Sequence, residues 1–193
     1  MESQEMILLT AVDQFNQSGT AKITTNHIAK EAGISPGNLY YHYKDKAHII
    51  REIYEMMMRD WEKAYAQIEE TALLPENLLK DFIQVNFELL WRYRFFYREM
   101  VALMNSDPLL ARRHIEVTRT RFARQRAILQ KAVDQGVMHL PDPDVQLDDL
   151  LTIAWIVANH YLIYQESMGQ TVEKKDFKAG AELVMKVLRP YMQ

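Results

Sequence analysis

Apolar residues recur at three- and four-residue intervals through most of the chain, and glycines and prolines cut that pattern into segments of helical length. Met6, Leu9, Val12 and Phe15, joined by Leu8, predict a first helix from about Ser3 to Ser18, with Gly19 as its stop. Thr25 is in place to cap a second helix that turns Ile28, Ala29 and Ala32 inward. Gly33 follows at once, where a left-handed backbone ends a helix without a Cβ clash, and Ile34 buries the corner. Ser35 then caps a third helix, and Pro36 takes the first helical position, where its fixed φ fits and its missing N–H is no loss. Leu39 faces the core, which leaves Asn38, Tyr40, Tyr41 and His42 outward.

Two short helices joined so tightly form a helix-turn-helix, and the second has the dimensions to enter the major groove of B-DNA. Beyond it, Asp45 caps a long fourth helix through Ile49, Ile53, Met57, Trp61, Ala64 and Ile68, ending near Thr71. Pro75 opens a fifth, to about Tyr93, and an aromatic-rich sixth ends before Asp107-Pro108. A seventh fills Pro108 to Gln135, stopped by Gly136. After the loop HLPDPD come an eighth, from Val145 to about Met168, and a last one from Glu173 to about Tyr191. No strand, repeat or low-complexity tract emerges. The expected fold is all-α, with about nine helices: a three-helix helix-turn-helix headpiece in residues 1–48 and a helical body in residues 49–193.

Residues 147–164 are apolar on nearly every side; Thr152, Asn159 and His160 are the polar residues between Leu150 and Tyr164. A helix of that kind must be covered all round, so one face meets the body and the other a second chain. The last helix adds a stripe at Phe177, Ala181, Val184, Leu188 and Tyr191. Two such helices per subunit make an intersubunit four-helix bundle, with Ile156, His160, Phe177, Val184 and Leu188 at a homodimer seam. The bland alternative is that both helices close a monomeric core.

Apolar residues make up 48% of 193, ample for such a body. The absence of cysteine removes disulfides, thiolate metal sites and cysteine nucleophiles, and fits a reducing cytosol. The start MESQEMILLTAVDQF lacks the basic residues of a secretory signal, and no apolar run is long enough for a bilayer, so a cytoplasmic protein without a membrane partner is expected. The net charge of −3 runs against phosphate binding. Locally the balance reverses: in residues 22–48, Lys22, Lys30, Lys44 and Lys46 outnumber Glu31 and Asp45. The excess is small, which implies modest affinity per headpiece and reliance on a dimer.

The run from Thr24 to Lys46, TTNHIAKEAGISPGNLYYHYKDK, resembles the DNA-binding headpiece of the TetR family of transcriptional regulators, through the pattern T-T-x-x-I-A-x-E-A-G-I-S-x-x-x-L-Y-Y-H-Y-K-x-K. The resemblance implies a dimeric repressor that binds a pseudo-palindromic operator in double-stranded DNA and releases it on binding an effector. Carried over by position, Thr25, Tyr40, His42 and Lys46 hold phosphates, with Ser35 at the helix start on the same surface, while Asn26, Gly37, Asn38 and Tyr41 face bases or thymine methyls. Gly37 departs from the longer polar side chains some members carry there, which allows close backbone approach. The resemblance also implies a pocket for an apolar or amphipathic small molecule, for which Trp61, Phe87, Trp91, Met104, Phe122, Trp155 and Asn159 are the candidate lining, and implies no cofactor. The same residues can serve simply as core, and His160 as an interface histidine.

Two other features have plain accounts. The seven Lys/Arg residues between Pro108 and Gln135 invite an anion, but Glu116 beside Arg112 and Arg119 makes local ion pairing on a solvated face sufficient. His42, Asp45 and His48 do not share one helical face, so no metal site is expected. Nothing resembles a nucleophile elbow, phosphate loop or carboxylate dyad, so the chain does not read as an enzyme. The rival to a repressor is a helical small-molecule-binding or interaction module with little DNA affinity.

Overall fold

Nine α-helices carry most of the described residues of this computed structural model, 3–69, 71, 76–140 and 144–192. They are α1 Ser3–Ser18, α2 Thr25–Glu31, α3 Pro36–His42, α4 Lys46–Glu69, α5 Glu76–Arg92, α6 Arg94–Ser106, α7 Pro108–Asp134, α8 Leu147–Ser167 and α9 Phe177–Leu188. Among the described residues the extended structure amounts to one isolated bridge, Met138 to Met192. The predicted opening of α5 at Pro75 and the two prolines of the HLPDPD loop lie outside the described residues. The segment expected as one helix from Glu173 to Tyr191 is an α-helix flanked by single 3-10 turns, Lys174–Asp176 and Arg189–Tyr191. Pro190 accounts for the second of these, since its ring cannot continue an α ladder.

The caps explain where the short helices begin. Thr24, not Thr25, caps α2: its backbone is extended, its hydroxyl accepts the His27 N–H at 3.3 Å, and His27 Nδ1 accepts the Thr24 N–H in return. Thr25 is already helical and so cannot fill that role. Ser35 accepts the Asn38 N–H at 3.2 Å, and Asp45 Oδ1 accepts the His48 N–H at 2.7 Å. Gly33 takes φ +69°, the left-handed geometry that closes α2 and lets the chain turn directly into α3. In α1 the buried stripe is Ile7, Leu8, Ala11, Val12 and Phe15; Met6 and Leu9 sit at its margin.

The chain packs as two compact units. The first comprises residues through Asp60 together with Arg92–Ala111, so α6 groups with the headpiece, a division different from one at residue 48. Phe15 meets Phe95 with ring centroids 5.2 Å apart, and Tyr54 meets Phe96 at the same distance. Polar contacts fix this arrangement. The buried Asn16 amide donates to the Arg92 carbonyl at 2.8 Å and accepts the Phe95 N–H at 3.0 Å, satisfying two backbone groups at the α5–α6 junction. Four residues on, the Thr20 N–H and hydroxyl both donate to the Glu99 carboxylate on α6. Asp107 ends α6 and starts α7, accepting the N–H groups of Leu109 and Leu110 and pairing with Arg51 of α4.

The second unit comprises Trp61–Trp91 and Arg112–Gln193. Here α8 packs on α9 around Gly180, where any Cβ would collide with the Phe87 and Tyr161 rings. Arg124 of α7 forks between Glu62 and Glu69 of α4, at 2.7 Å from each, and that hydrogen bond first, against burial, holds the Glu69 carboxyl below its ordinary range.

Two stability predictions follow from the first unit. Asn16→Ala leaves the Arg92 carbonyl and the Phe95 N–H without partners in a buried place, and urea unfolding is expected to show a loss of about 2–4 kcal/mol. Burial alone would raise the Asp107 carboxyl, but the Leu110 N–H, Arg51 and the Leu109 N–H outweigh it and the pKa lies below the ordinary value. Its stabilising contribution is therefore complete above the unfolded carboxylate range near pH 4 and is lost as pH falls through the lower folded value. The stability gap between the wild type and Asp107→Asn, followed by chemical denaturation at successive pH values, should be constant near neutrality and close on the acid side.

Candidate DNA-reading surface and internal cavity

The seven-residue α3 buries one side chain, Leu39, with 0% of its surface exposed, and turns Gly37, Asn38, Tyr40 and Tyr41 to solvent. Tyr41 is 85% exposed and makes an edge contact with the His42 ring at 5.0 Å. Thr25 Oγ1 and the Tyr40 hydroxyl lie 2.8 Å apart, which ties the start of α2 to the outer face of α3 and sets two hydroxyls side by side. Asn26 is exposed on α2, and Ser35 stays exposed while its oxygen caps α3. Together these side chains offer amides, hydroxyls, a phenol ring and the N-terminal end of α3 on one unit, the chemistry that phosphate oxygens and base edges accept.

Lys46 stands apart from the exposed set. Its ammonium donates to the carbonyls of Thr20 at 2.7 Å and Ile23 at 3.0 Å, so two of its three protons hold the α1–α2 connection against the start of α4. Asp45 and His48 are also engaged internally, the carboxylate in capping α4 and His48 Nδ1 in accepting the Lys44 N–H at 3.2 Å. Among the described residues no group of three His, Cys, Asp or Glu is placed to hold a metal.

The second unit contains a partly open cavity of about 80 Å³, walled by residues of α4, α5, α7, α8 and α9. Of the residues nominated from sequence, Trp61, Phe87, Trp155 and Asn159 line it. Trp91 lines a separate recess of about 100 Å³ with Phe177, its ring 5.1 Å from that ring. Phe122 packs against Trp155 at 5.9 Å without joining the lining, and Met104 belongs to the first unit. The lining also contains polar residues that the sequence reading did not single out for it: Asn86, Gln125 and Arg121. The Arg121 guanidinium lies 3.8 Å from the Trp61 ring centroid and 5.3 Å from that of Trp155, a cation held over indole faces. Spacing did carry a signal for it. Arg121, Gln125, Ile128 and Ala132 follow at four, three and four residues, so Arg121 falls on the inward stripe of α7. Glu116 pairs with Arg113 at 3.2 Å in place of the expected Arg112 and Arg119, and Arg126 pairs with Asp148 at 2.6 Å, both on exposed surface.

The seam residues divide. Ile156 is 55% exposed, and with Ile153, His160, Ile163 and Tyr164 it forms one bare, largely apolar face of α8; Leu183 on α9 is exposed as well. Phe177, Val184 and Leu188 are turned inward instead: Phe177 packs against Phe87 and Tyr161, while Val184 and Leu188 line the cavity. Their stripe is covered by their own chain because α9 lies on α8 through it. Among the described residues no helix is long and apolar enough to cross a membrane.

Comparison with known proteins agrees with this arrangement. A family model for bacterial regulatory proteins of the tetR family matches residues 7–53, and a second, described as a bacterial transcriptional repressor, matches residues 54–193. The chain is similar to the probable HTH-type transcriptional regulator YttP of Bacillus subtilis, 26% identical over 170 residues that span 81% of this chain and 78% of that protein. It is similar to the HTH-type transcriptional repressor KstR2 of Mycolicibacterium smegmatis, 29% identical over 152 residues, 75% of this chain and 71% of that one. The crystal structure of a TetR-family transcriptional regulator from Marinobacter aquaeolei VT8 superposes with a TM-score of 0.86 at 30% identity, covering 100% of this chain and 92% of the other.

An acidic side chain at a buried seam is strongly unfavourable. Ile156→Asp, exposed within one subunit, should leave helix content and melting of the subunit intact while shifting sedimentation from dimer to monomer; Asp at Val184 or Leu188 should unfold the second unit. An Ile156→Asp protein that sediments as the wild type would remove this face from any seam.

Proposed function

Since the chain belongs to the tetR family of bacterial regulatory proteins, we propose that its α3 face reads one half of a pseudo-palindromic operator and that a homodimer delivers two such faces to the DNA. The protein is a ligand-responsive DNA-binding repressor of that family. In this reading residues 1–48 contact DNA, and residues 49–193 bind the effector and pair the subunits. The bare apolar face of α8 supports the pairing, and the cavity behind Trp61 supports the effector. It acts in the cytoplasm, where bacterial DNA is, and performs no catalysis of its own.

The observation that carries the DNA-reading role is the outward row on α3. Asn38 and Tyr41, with Gly37 allowing close backbone approach and Asn26 beside them, are the base-facing set. Thr25, Ser35, Tyr40, His42 and the remaining ammonium proton of Lys46 are the phosphate set. The hydrogen bond between Thr25 and Tyr40 fixes two of these hydroxyls before any DNA arrives, which lowers the ordering cost of a phosphate contact. Helix α4 is the proposed carrier of the response, because it begins at the Asp45 cap beside α3 and reaches Trp61 in the cavity wall. An effector that favours one arrangement of this rod changes the fraction of dimers with operator spacing, and a coupling of about 1–3 kcal/mol weakens DNA binding about 5–150-fold.

A mobility shift on the upstream region of its own gene, at low and moderate salt, tests the reading. Wild-type protein is expected to give a salt-sensitive specific complex. Asn38→Ala should reduce discrimination between operator variants by about 1–3 kcal/mol. An equal loss on every DNA sequence would remove Asn38 as a base reader, and no complex at low salt would defeat the DNA-binding role.

A further inference from the structure

We propose that the cavity of the second unit takes a small neutral alcohol, whose hydroxyl donates to the Asn86 carbonyl oxygen and accepts from the Trp61 indole N–H. This rests on the effector reading of the cavity and names the chemical class of its ligand.

Two buried polar groups of the wall have incomplete hydrogen bonding. Asn86 is 9% exposed and lines the cavity from α5. Its Nδ2 donates to the Phe82 carbonyl, one turn earlier, at 2.6 Å. Because that carbonyl can only accept, the contact fixes which end of the amide is nitrogen. The Asn86 carbonyl oxygen is left with no hydrogen bond among the described residues. Trp61 is 1% exposed in the same wall, and its Nε1–H has no acceptor among them. Buried polar groups in that state are uncommon in folded chains, and each calls for a partner. Asn86 lacks a donor, and Trp61 lacks an acceptor.

That combination selects among functional groups. A hydroxyl is donor and acceptor at one atom, so it meets both needs. A ketone, ether or carboxylate brings lone pairs alone and sets them against those of Asn86. An ammonium brings donors alone, and the described lining holds no Asp or Glu to compensate its charge. Arg121, stacked on the Trp61 and Trp155 rings and engaged within its own chain, is not the recognition element. Size limits the hydrocarbon part. The cavity of about 80 Å³ is about half of the roughly 150 Å³ in which the six carbons of benzene are held, so it takes about three to four non-hydrogen atoms. Ethanol and 2-propanol are of that size, and Leu79, Ile83, Phe87 and Leu151 offer their carbon atoms an apolar surround.

The test is proton–nitrogen correlation NMR on the full-length protein, following the Trp61 indole N–H, assigned through Trp61→Phe, and the Asn86 side-chain amide. The probes are 2-propanol and acetone, which match in non-hydrogen atoms and nearly in shape, and xenon as an apolar gauge of the space. 2-Propanol is expected to shift both resonances saturably, with a dissociation constant about five-fold or more below that of acetone. Asn86→Leu, close to Asn in volume, should bring the two within about two-fold. Circular dichroism melting identifies a variant that fails to fold, and the wild-type comparison decides without it. Equal affinity of 2-propanol and acetone in the wild type, or a preference that survives Asn86→Leu, overturns the hydroxyl assignment. If xenon alone shifts the Trp61 resonance, the alcohol falls and the effector cavity stands. If none of the three probes shifts it, the cavity reading falls as well.

Discussion

A helix of seven residues has almost no stability in water on its own, because the cost of fixing its first turn is recovered only over a longer ladder. The reading helix α3 is that short, and its existence depends on what holds it. Leu39 is its single buried anchor; Ser35 and Pro36 prepare its first turn; Gly33 brings α2 close enough to support it. Behind these stands α1, whose end is tied through Asn16 and Thr20 to α6. The exposed row proposed to meet DNA is thus rigid only because a chain of buried contacts behind it is complete. A defect well away from α3 reaches DNA binding through that chain.

Much of this architecture was legible in the residues. Caps and stops are local signals, so the helix-turn-helix came out nearly residue by residue, with Thr24 in place of Thr25 as the one shifted cap, because two adjacent threonines can both fill the role until the backbone shows which is extended. Periodicity identifies a buried stripe but not what covers it. Phe177, Val184 and Leu188 were legible as buried, and whether their cover is a partner or α8 of the same chain is a tertiary fact. The grouping of α6 with the headpiece was not legible, since Asn16 and Phe95 are 79 positions apart and their bond leaves no local pattern. Arg121 was missed for a further reason. A basic residue among six others on one helix reads as solvated, and only its register with Ile128 and Ala132 marks it as inward.

The electrostatics show the same division between local and global. A chain of net charge −3 belongs to a family whose partner is a polyanion, and the lysine excess near α3 is slight. Part of even that excess is used internally, since Lys46 holds two carbonyls of its own chain. In the proposed reading affinity therefore leans on hydroxyls, backbone N–H groups and the pairing of two headpieces more than on bulk charge, and salt should weaken binding less steeply than it does for strongly basic readers.

The pairing of Trp61 and Trp155 with Arg121 gives the protein a built-in optical probe. Of the three tryptophans in the chain, two border the cavity and lie against the same cation, while Trp91 sits in a different recess. Indole emission is sensitive to the charge and polarity at its face, so anything that enters the cavity and draws the guanidinium aside alters two of the three emitters at once. Occupancy is thereby readable from the intrinsic fluorescence of the unlabelled protein, with the tyrosines of the headpiece remaining dark at the wavelengths that excite indole alone.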